Sequence, residues 1–197
     1  NGLQFTVNFS NGAGEGGRED AGRGKKGLFV NNGKLLTARL NVPATPHLQL
    51  GISGALNRAG QKSPTADNTG TISVIAPDFG LYLKLNSNQR LDIEGGLAVG
   101  RISKAVLQSF DDQNFTLFEV TGRWMKQLAR PNANLAGLDA VEFAAGYSLV
   151  DENETLSVFR FGPAVYFGKQ TRIQLNAEIE NNTGSEFKIR SQATFNF

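Results

Sequence analysis

The chain has 197 residues, 40% of them apolar, with 20 basic and 18 acidic side chains and a formal net charge of +2. No apolar run approaches the roughly 18 residues of a membrane-spanning helix, and mean hydropathy is −0.27. A helical span is therefore excluded, but not a transmembrane barrel, whose short alternating segments average to a polar composition.

The lack of cysteine removes disulfides, thiolate metal sites and cysteine nucleophiles, and is compatible with an oxidising envelope compartment. The pI of 9.0 rests on a small basic excess and is no sign of nucleic-acid binding. Many glycines (23) and phenylalanines (14) point to β structure with aromatic bands, while a single methionine argues against a helical bundle. The start at Asn1, without an initiator methionine or signal peptide, reads as a processed, trimmed or partial chain.

Leu3–Phe9 alternates Leu3, Phe5, Val7 and Phe9 against polar residues, the period of a half-exposed strand. The Gly-rich, charged stretch 10–33 cannot bury enough apolar surface for a core and reads as a long loop. It lacks the residue order of a phosphate-binding loop. Lys34–Val42 is the second strand, with Leu36, Ala38, Leu40 and Val42 opposite Thr37, Arg39 and Asn41. Pro43 and Pro46 make a tight turn, and His47–Leu56 returns.

A polar loop follows, and residues 71–76 read as strand or ordered loop, with Pro77 as a bulge or the true strand start. Phe79–Asn86 and Arg90–Gly100 form a hairpin across Ser87–Gln89. In Arg101–Gln113, residues Ala105, Val106, Leu107 and Phe110 suffice for a short helix folded inward. Asn114–Lys126 places Phe118, Val120 and Trp124 opposite Glu119, Thr121 and Arg123. Phe115 and Leu117 fall out of phase, as across a bulge. Residues 127–138 read as a turn.

Asp139–Leu149 and Thr155–Phe167 alternate cleanly, although Pro163 calls for a local bulge. Arg172–Glu180 and Glu186–Phe197 complete ten strands. In the last, Phe187, Ile189, Ser191, Ala193, Phe195 and Phe197 share one face and Lys188 and Arg190 the other.

Two regularities lead to the fold class. The apolar faces carry no charge, whereas the opposite faces carry Arg39, Lys84, Arg90, Arg123, Arg160, Arg172, Lys188 and Arg190 with Asp92, Glu94, Glu119, Glu142, Glu178 and Glu180. Connections also alternate long and short over the first two thirds of the chain, as in barrels with long outer loops and short periplasmic turns. The expectation is an all-β, antiparallel transmembrane β-barrel of about ten strands, one domain over 1–197, with strand one free to pair with strand ten.

The opening GLQFTVNFSNGAGEG, followed by GKLLTARLNVPATPHLQLGISGAL, resembles the middle of the phosphate-selective (O/P-type) outer-membrane porins. The positions that carry the likeness are Asn11-Gly12, Ala38-Arg39-Leu40, Pro43 and Leu48-Gln49-Leu50-Gly51-Ile52-Ser53. The terminal Phe197 is similar to the assembly signal of outer-membrane barrels. The resemblance spans the first sixty residues or so and, more weakly, the last thirty. It implies the carboxyl-terminal portion of a sixteen-stranded barrel. The family's phosphate-selecting arginines and lysines do not map onto this sequence, so phosphate specificity is not carried over.

The functional expectation is a passive diffusion channel for small hydrophilic solutes in the bacterial outer membrane, weakly anion-preferring, with no cofactor, metal or catalytic residue. Pore-lining candidates are Arg39, Lys84, Arg90, Glu94, Glu119, Arg123, Glu142, Arg160, Tyr166, Arg172, Glu178 and Arg190. Cross-strand pairing within the wall is the plainer account of the same charges. Expected partners are membrane lipid and lipopolysaccharide, hydrophilic or anionic solutes, and other barrel subunits or a missing amino-terminal portion, but no nucleic acid. Trp124, Tyr147, Phe159 and Phe167 suit a girdle at the headgroup level. A structural or subunit barrel is the alternative. An enzyme with its site among the loop acids Asp67, Asp111, Asp112, Asp151 and Glu154 is a second; the sole histidine, His47, lies at a predicted periplasmic turn.

Overall fold

The computed structural model describes residues 2–11, 34–59, 69–107, 110–132, 137–152, 154–168 and 171–195. They form ten strands: β1 (Gln4–Asn11), β2 (Lys34–Pro43), β3 (Leu48–Ala59), β4 (Gly70–Asn86), β5 (Gln89–Ile102), β6 (Gln113–Asn132), β7 (Leu138–Asp151), β8 (Thr155–Phe167), β9 (Thr171–Asn181) and β10 (Ser185–Phe195). One short helix, α1 (Lys104–Leu107), lies between β5 and β6. The strands make a single antiparallel sheet in which each pairs with its neighbours in sequence. No helix among the described residues is long and apolar enough to cross a membrane, which says nothing of strands.

All connections after odd-numbered strands lie at one end of the sheet, here the loop end, including 12–33, 60–69 and 103–112. The opposite turn end carries 44–47, 87–88, 133–137 and 168–170. Gly137 and Gly168 sit in turn-end connections with φ of 79° and 64°. A side chain in that left-handed region costs about 1–2 kcal/mol. Within the Gly-rich stretch 10–33, residues 12–33 lie outside the described residues, as do Asp67 and Phe197.

Four sequence expectations are corrected. β4 does not begin at Pro77; it runs from Gly70 straight through it, with Ile52↔Pro77 paired to β3. The ladder to β5 skips 76–77 and resumes in the same register, from Ile75↔Val99 to Asp78↔Gly96. Proline lacks a donor for one neighbour only, so an interruption on one side suffices and no bulge is required. Pro163 behaves alike. Phe143↔Pro163 is paired on the β7 side, and the β9 ladder skips 162–163 without a shift. The β9 backbone closes in there, so that a Cβ on Gly162 would collide with the Leu175 carbonyl.

β6 is also longer than expected, extending through Pro131 to Asn132, with its register shift to β7 between Gln127 and Asn132. The fourth correction concerns Phe115 and Leu117. β5 and β6 pair without a shift from Gln113 to Lys126, so there is no bulge and both side chains follow Glu119 onto the polar face. Phe115 belongs there because α1 covers that end of the face, whereas Leu117 stays exposed. Ile72, Ile102 and Val106 form a buried cluster, with Leu107 and Phe115 against it. The ring of Phe115 occupies the place of a Cβ on Gly100.

Ser103, α1 and Asp112 are tied to the ends of β4 and β5 by directed bonds. Ser103 N–H donates to the Thr71 carbonyl (2.9 Å) and Thr71 N–H to Ser103 Oγ (2.9 Å). Asp112 accepts from the Lys104 N–H (2.7 Å) and Arg101 Nε (3.0 Å). These donors, the Lys104 amide foremost and then Arg101, hold the Asp112 carboxyl below the usual carboxylate range. A lowered pKa means that the anchor is in place at neutral pH and is lost as pH falls through that value. Asp112→Asn should therefore speed hydrogen exchange at the Val106 and Leu107 amides while leaving β4 and β5 protected. Acidification should bring the parent protein toward the variant. Unchanged α1 exchange in the variant would show that Asp112 does not anchor the helix.

Candidate functional site

The sheet has two unlike faces. On one, a register row runs from Val42 through Leu50, Phe79, Tyr147 and Phe159 to Phe187 without a polar side chain except the tyrosine hydroxyl. These side chains are open: Leu50 is 43%, Phe159 41% and Phe187 61% exposed. Among the described residues, charged side chains in the same phase occur only near the rims. They are Lys34, Arg58, Arg101 and Asp151 at the loop end, and Lys126 and Asp139 at the turn end. Between them lies a charge-free band on the order of 30 Å along the strands.

The opposite face carries the charges, and three of its acids are the best-covered charged groups among the described residues: Asp92 is 4%, Glu142 3% and Glu178 4% exposed. Each is bracketed by partners from its own strand or from strands one or two places away. Asp92 takes Arg123 Nη2 (2.7 Å) and Arg90 Nε (3.1 Å). Glu142 takes the Tyr166 hydroxyl (2.6 Å) and Arg172 Nη2 (2.8 Å), whose guanidinium also lies 5.6 Å from the Tyr166 ring centre. Glu178 takes Arg160 Nε (2.6 Å) and Arg190 Nη2 (3.1 Å). A carboxylate removed from water needs such charge-assisted bonds to offset its lost hydration.

Smaller units complete the lattice. Arg39 grips Asp78 with both terminal nitrogens (2.7 and 2.8 Å) and adds a bond to Ser53 Oγ (2.7 Å). Gly51 makes room for this pair, because its Cβ would stand 2.7 Å from Arg39 Nη2 and closer still to Asp78. Tyr82 folds over Gly80 and donates to Glu94 (2.9 Å). Lys188 reaches Glu180 (2.7 Å) and Glu186 (3.0 Å). The missing side chains at Gly80 and Gly96 leave an open groove of about 690 Å³ beside Arg39, Asp78, Glu94 and Glu119.

All twelve pore-lining candidates therefore share one face. Ten of them, all but Lys84 and Glu119, are engaged in the bonds just described. Those two are exposed and have no hydrogen-bond or ion-pair partner among the described residues. Sequence reasoning missed Asp78, which it placed in a loop. Carrying the alternation of Gly80, Tyr82 and Lys84 back through Pro77 would have found it. Asp78 and Glu186 also balance the face: eight basic side chains (Arg39, Lys84, Arg90, Arg123, Arg160, Arg172, Lys188, Arg190) meet eight acidic ones (Asp78, Asp92, Glu94, Glu119, Glu142, Glu178, Glu180, Glu186). The excess behind the expected anion preference is thus cancelled among the described wall residues.

Outside the wall, the expected loop acids have local duties. Asp112 anchors α1, and Asp151 accepts from Thr155 Oγ1 (2.8 Å). His47 Nδ1 lies 3.1 Å from the Tyr82 carbonyl at the turn end. No group of three His, Cys, Asp or Glu among the described residues is placed to hold a metal ion. No family model, curated protein or solved structure matches this chain.

The brackets predict unequal costs for their members. Glu178→Ala removes two charge-assisted bonds at once and leaves Arg160 and Arg190 facing each other without their acid, and should cost about 2–3 kcal/mol. Arg190→Ala removes the longer and more exposed bond while Arg160 stays, and should cost under about 1 kcal/mol. Urea titration of the folded protein in lipid or detergent checks the order; equal costs would mean that the buried carboxylate does not organise the bracket.

Proposed function

We propose that this sheet is wall of an outer-membrane β-barrel that forms a passive diffusion channel for small hydrophilic solutes. The observation that carries the reading is the inversion of the two faces: Phe5 and Phe187 are open while Asp92, Glu142 and Glu178 are covered. In water such an apolar face would need a second layer of comparable size. In a bilayer, lipid covers it. Arginine or lysine facing lipid at mid-depth costs about 2–4 kcal/mol, which accounts for a band without charge and for charges at both rims.

The polar face then lines the lumen, with Arg39, Glu94 and Glu119 toward water and the groove beside them as passage. α1 lies over the same face and narrows the loop end. β1 and β10 are antiparallel to each other, and among the described residues β1 pairs only with β2 and β10 only with β9. In the channel these edges are closed by each other or by further strands. Further strands would agree with the likeness of residues 1–60 to the phosphate-selective porins, which supplies the family proposal but not phosphate selectivity.

A structural or subunit barrel of a larger outer-membrane complex is the second reading. The two unpaired edges favour it, together with the mutual satisfaction of most wall charges. An enzyme has the weakest support, since Asp112 and Asp151 are spent on holding their own connections.

Spin labels at Leu50, Leu83, Ile93, Phe143 and Leu175 in reconstituted protein should be accessible to oxygen and shielded from a water-soluble relaxant. The reverse result at three of these sites would sink the membrane reading. Planar-bilayer recording then separates the first two readings: steady conductance from folded protein supports the channel, and none supports the structural barrel. Deleting Phe197 should slow membrane insertion without reducing synthesis; unchanged kinetics would remove its role as an assembly signal.

A further inference from the structure

The wall charges balance in number but not in place. Reading each strand by its ends avoids any assumption about how far the sheet tilts. Glu180 and Glu186 flank the loop-end connection 182–184, and their one shared base is Lys188. Glu119 lies at their register level, without a partner among the described residues. At the other end, Lys84 and Arg90 flank the turn 87–88, and Arg172 follows the turn 168–170. The acids there are Asp92 and Glu142, each already facing two donors. Lys84 has no partner among the described residues.

We infer that the channel wall is polarised along the pore, acidic toward the loop end and basic toward the turn end, and that the pore therefore rectifies ionic current. This inference rests on the channel reading. Glu119 and Lys84 are six register positions apart, on the order of 20 Å along the strands. The Debye length is about 10 Å at 0.1 M salt, so the two regions act on ions separately instead of cancelling.

The sign of the effect follows from the order of the regions. With the loop side positive, cations enter through the acidic end and anions through the basic end. Both are drawn toward favourable potentials and accumulate in the lumen, so conductance rises. With the loop side negative, each ion is driven in through the end that repels it. The lumen is depleted and conductance falls.

The test is planar-bilayer recording of the full chain carrying Thr183→Cys in the loop-end connection 182–184. The chain has no other cysteine, so one-sided labelling with an impermeant thiol reagent marks the loop side. Current at equal and opposite voltages in about 0.1 M salt should be about 1.5-fold or more larger with the loop side positive. The ratio should approach one in about 1 M salt, where the Debye length is about 3 Å.

It should also fall in Glu119→Gln/Lys84→Gln, which removes one charge from each region without breaking an ion pair. Equal currents in the parent protein, or a larger current with the loop side negative, overturn the inference and leave the channel reading standing. A ratio that survives both high salt and the double variant also overturns it, because pore shape would then be the cause. No conductance from folded protein overturns both.

Discussion

The bracketing of buried carboxylates by cations and a hydroxyl from adjoining strands is the constraint on which the rest of the structure depends. Asp92, Glu142 and Glu178 are nearly withdrawn from solvent, although they lie on the face that carries the charges. An isolated carboxylate so placed would be costly. Two donors apiece make it tolerable, and those donors come from different strands, so each bracket also fastens neighbouring strands in register. Glu178 joins Arg160 of β8 to Arg190 of β10 across β9. Asp92 does the same between β5 and β6. Covalent cross-links have no part in this chain, and the small apolar cluster under α1 reaches only one end of the sheet.

Such brackets are weak evidence for stability by themselves, since desolvation consumes much of the Coulomb gain. Their stronger contribution here is specificity of register. A slip of one residue in any strand would send its arginines and acids to the apolar face and its phenylalanines inward. Rows such as Leu50–Phe79 on one side and Arg160–Glu178 on the other cannot both survive a slip. The two faces therefore police the same alignment from opposite sides of the backbone.

Glycine placement serves this arrangement. Gly51 admits the Arg39–Asp78 pair, and Gly80 admits the ring of Tyr82 on its way to Glu94. Gly95 lies beneath the ring of Phe79 on the apolar face. The large residues thus lie over backbone instead of pushing strands apart, and the polar face keeps an open groove.

The sequence by itself determined the phase of nearly every strand, because alternation is a local property of a pleated chain with period two. It placed the twelve candidate wall residues on one face and Phe5, Leu50, Phe143 and Leu175 on the other without knowledge of any neighbour. What only the tertiary structure decided is non-local. How far β4 runs through Pro77, and hence that Asp78 meets Arg39, depends on hydrogen bonds offered by β3. The place of Phe115 depends on a cover supplied by α1. Which arginine brackets which acid depends on the register between strands. The edges of β1 and β10, unpaired among the described residues, belong to the same class, since what an edge meets is settled by the other strand that comes to lie beside it.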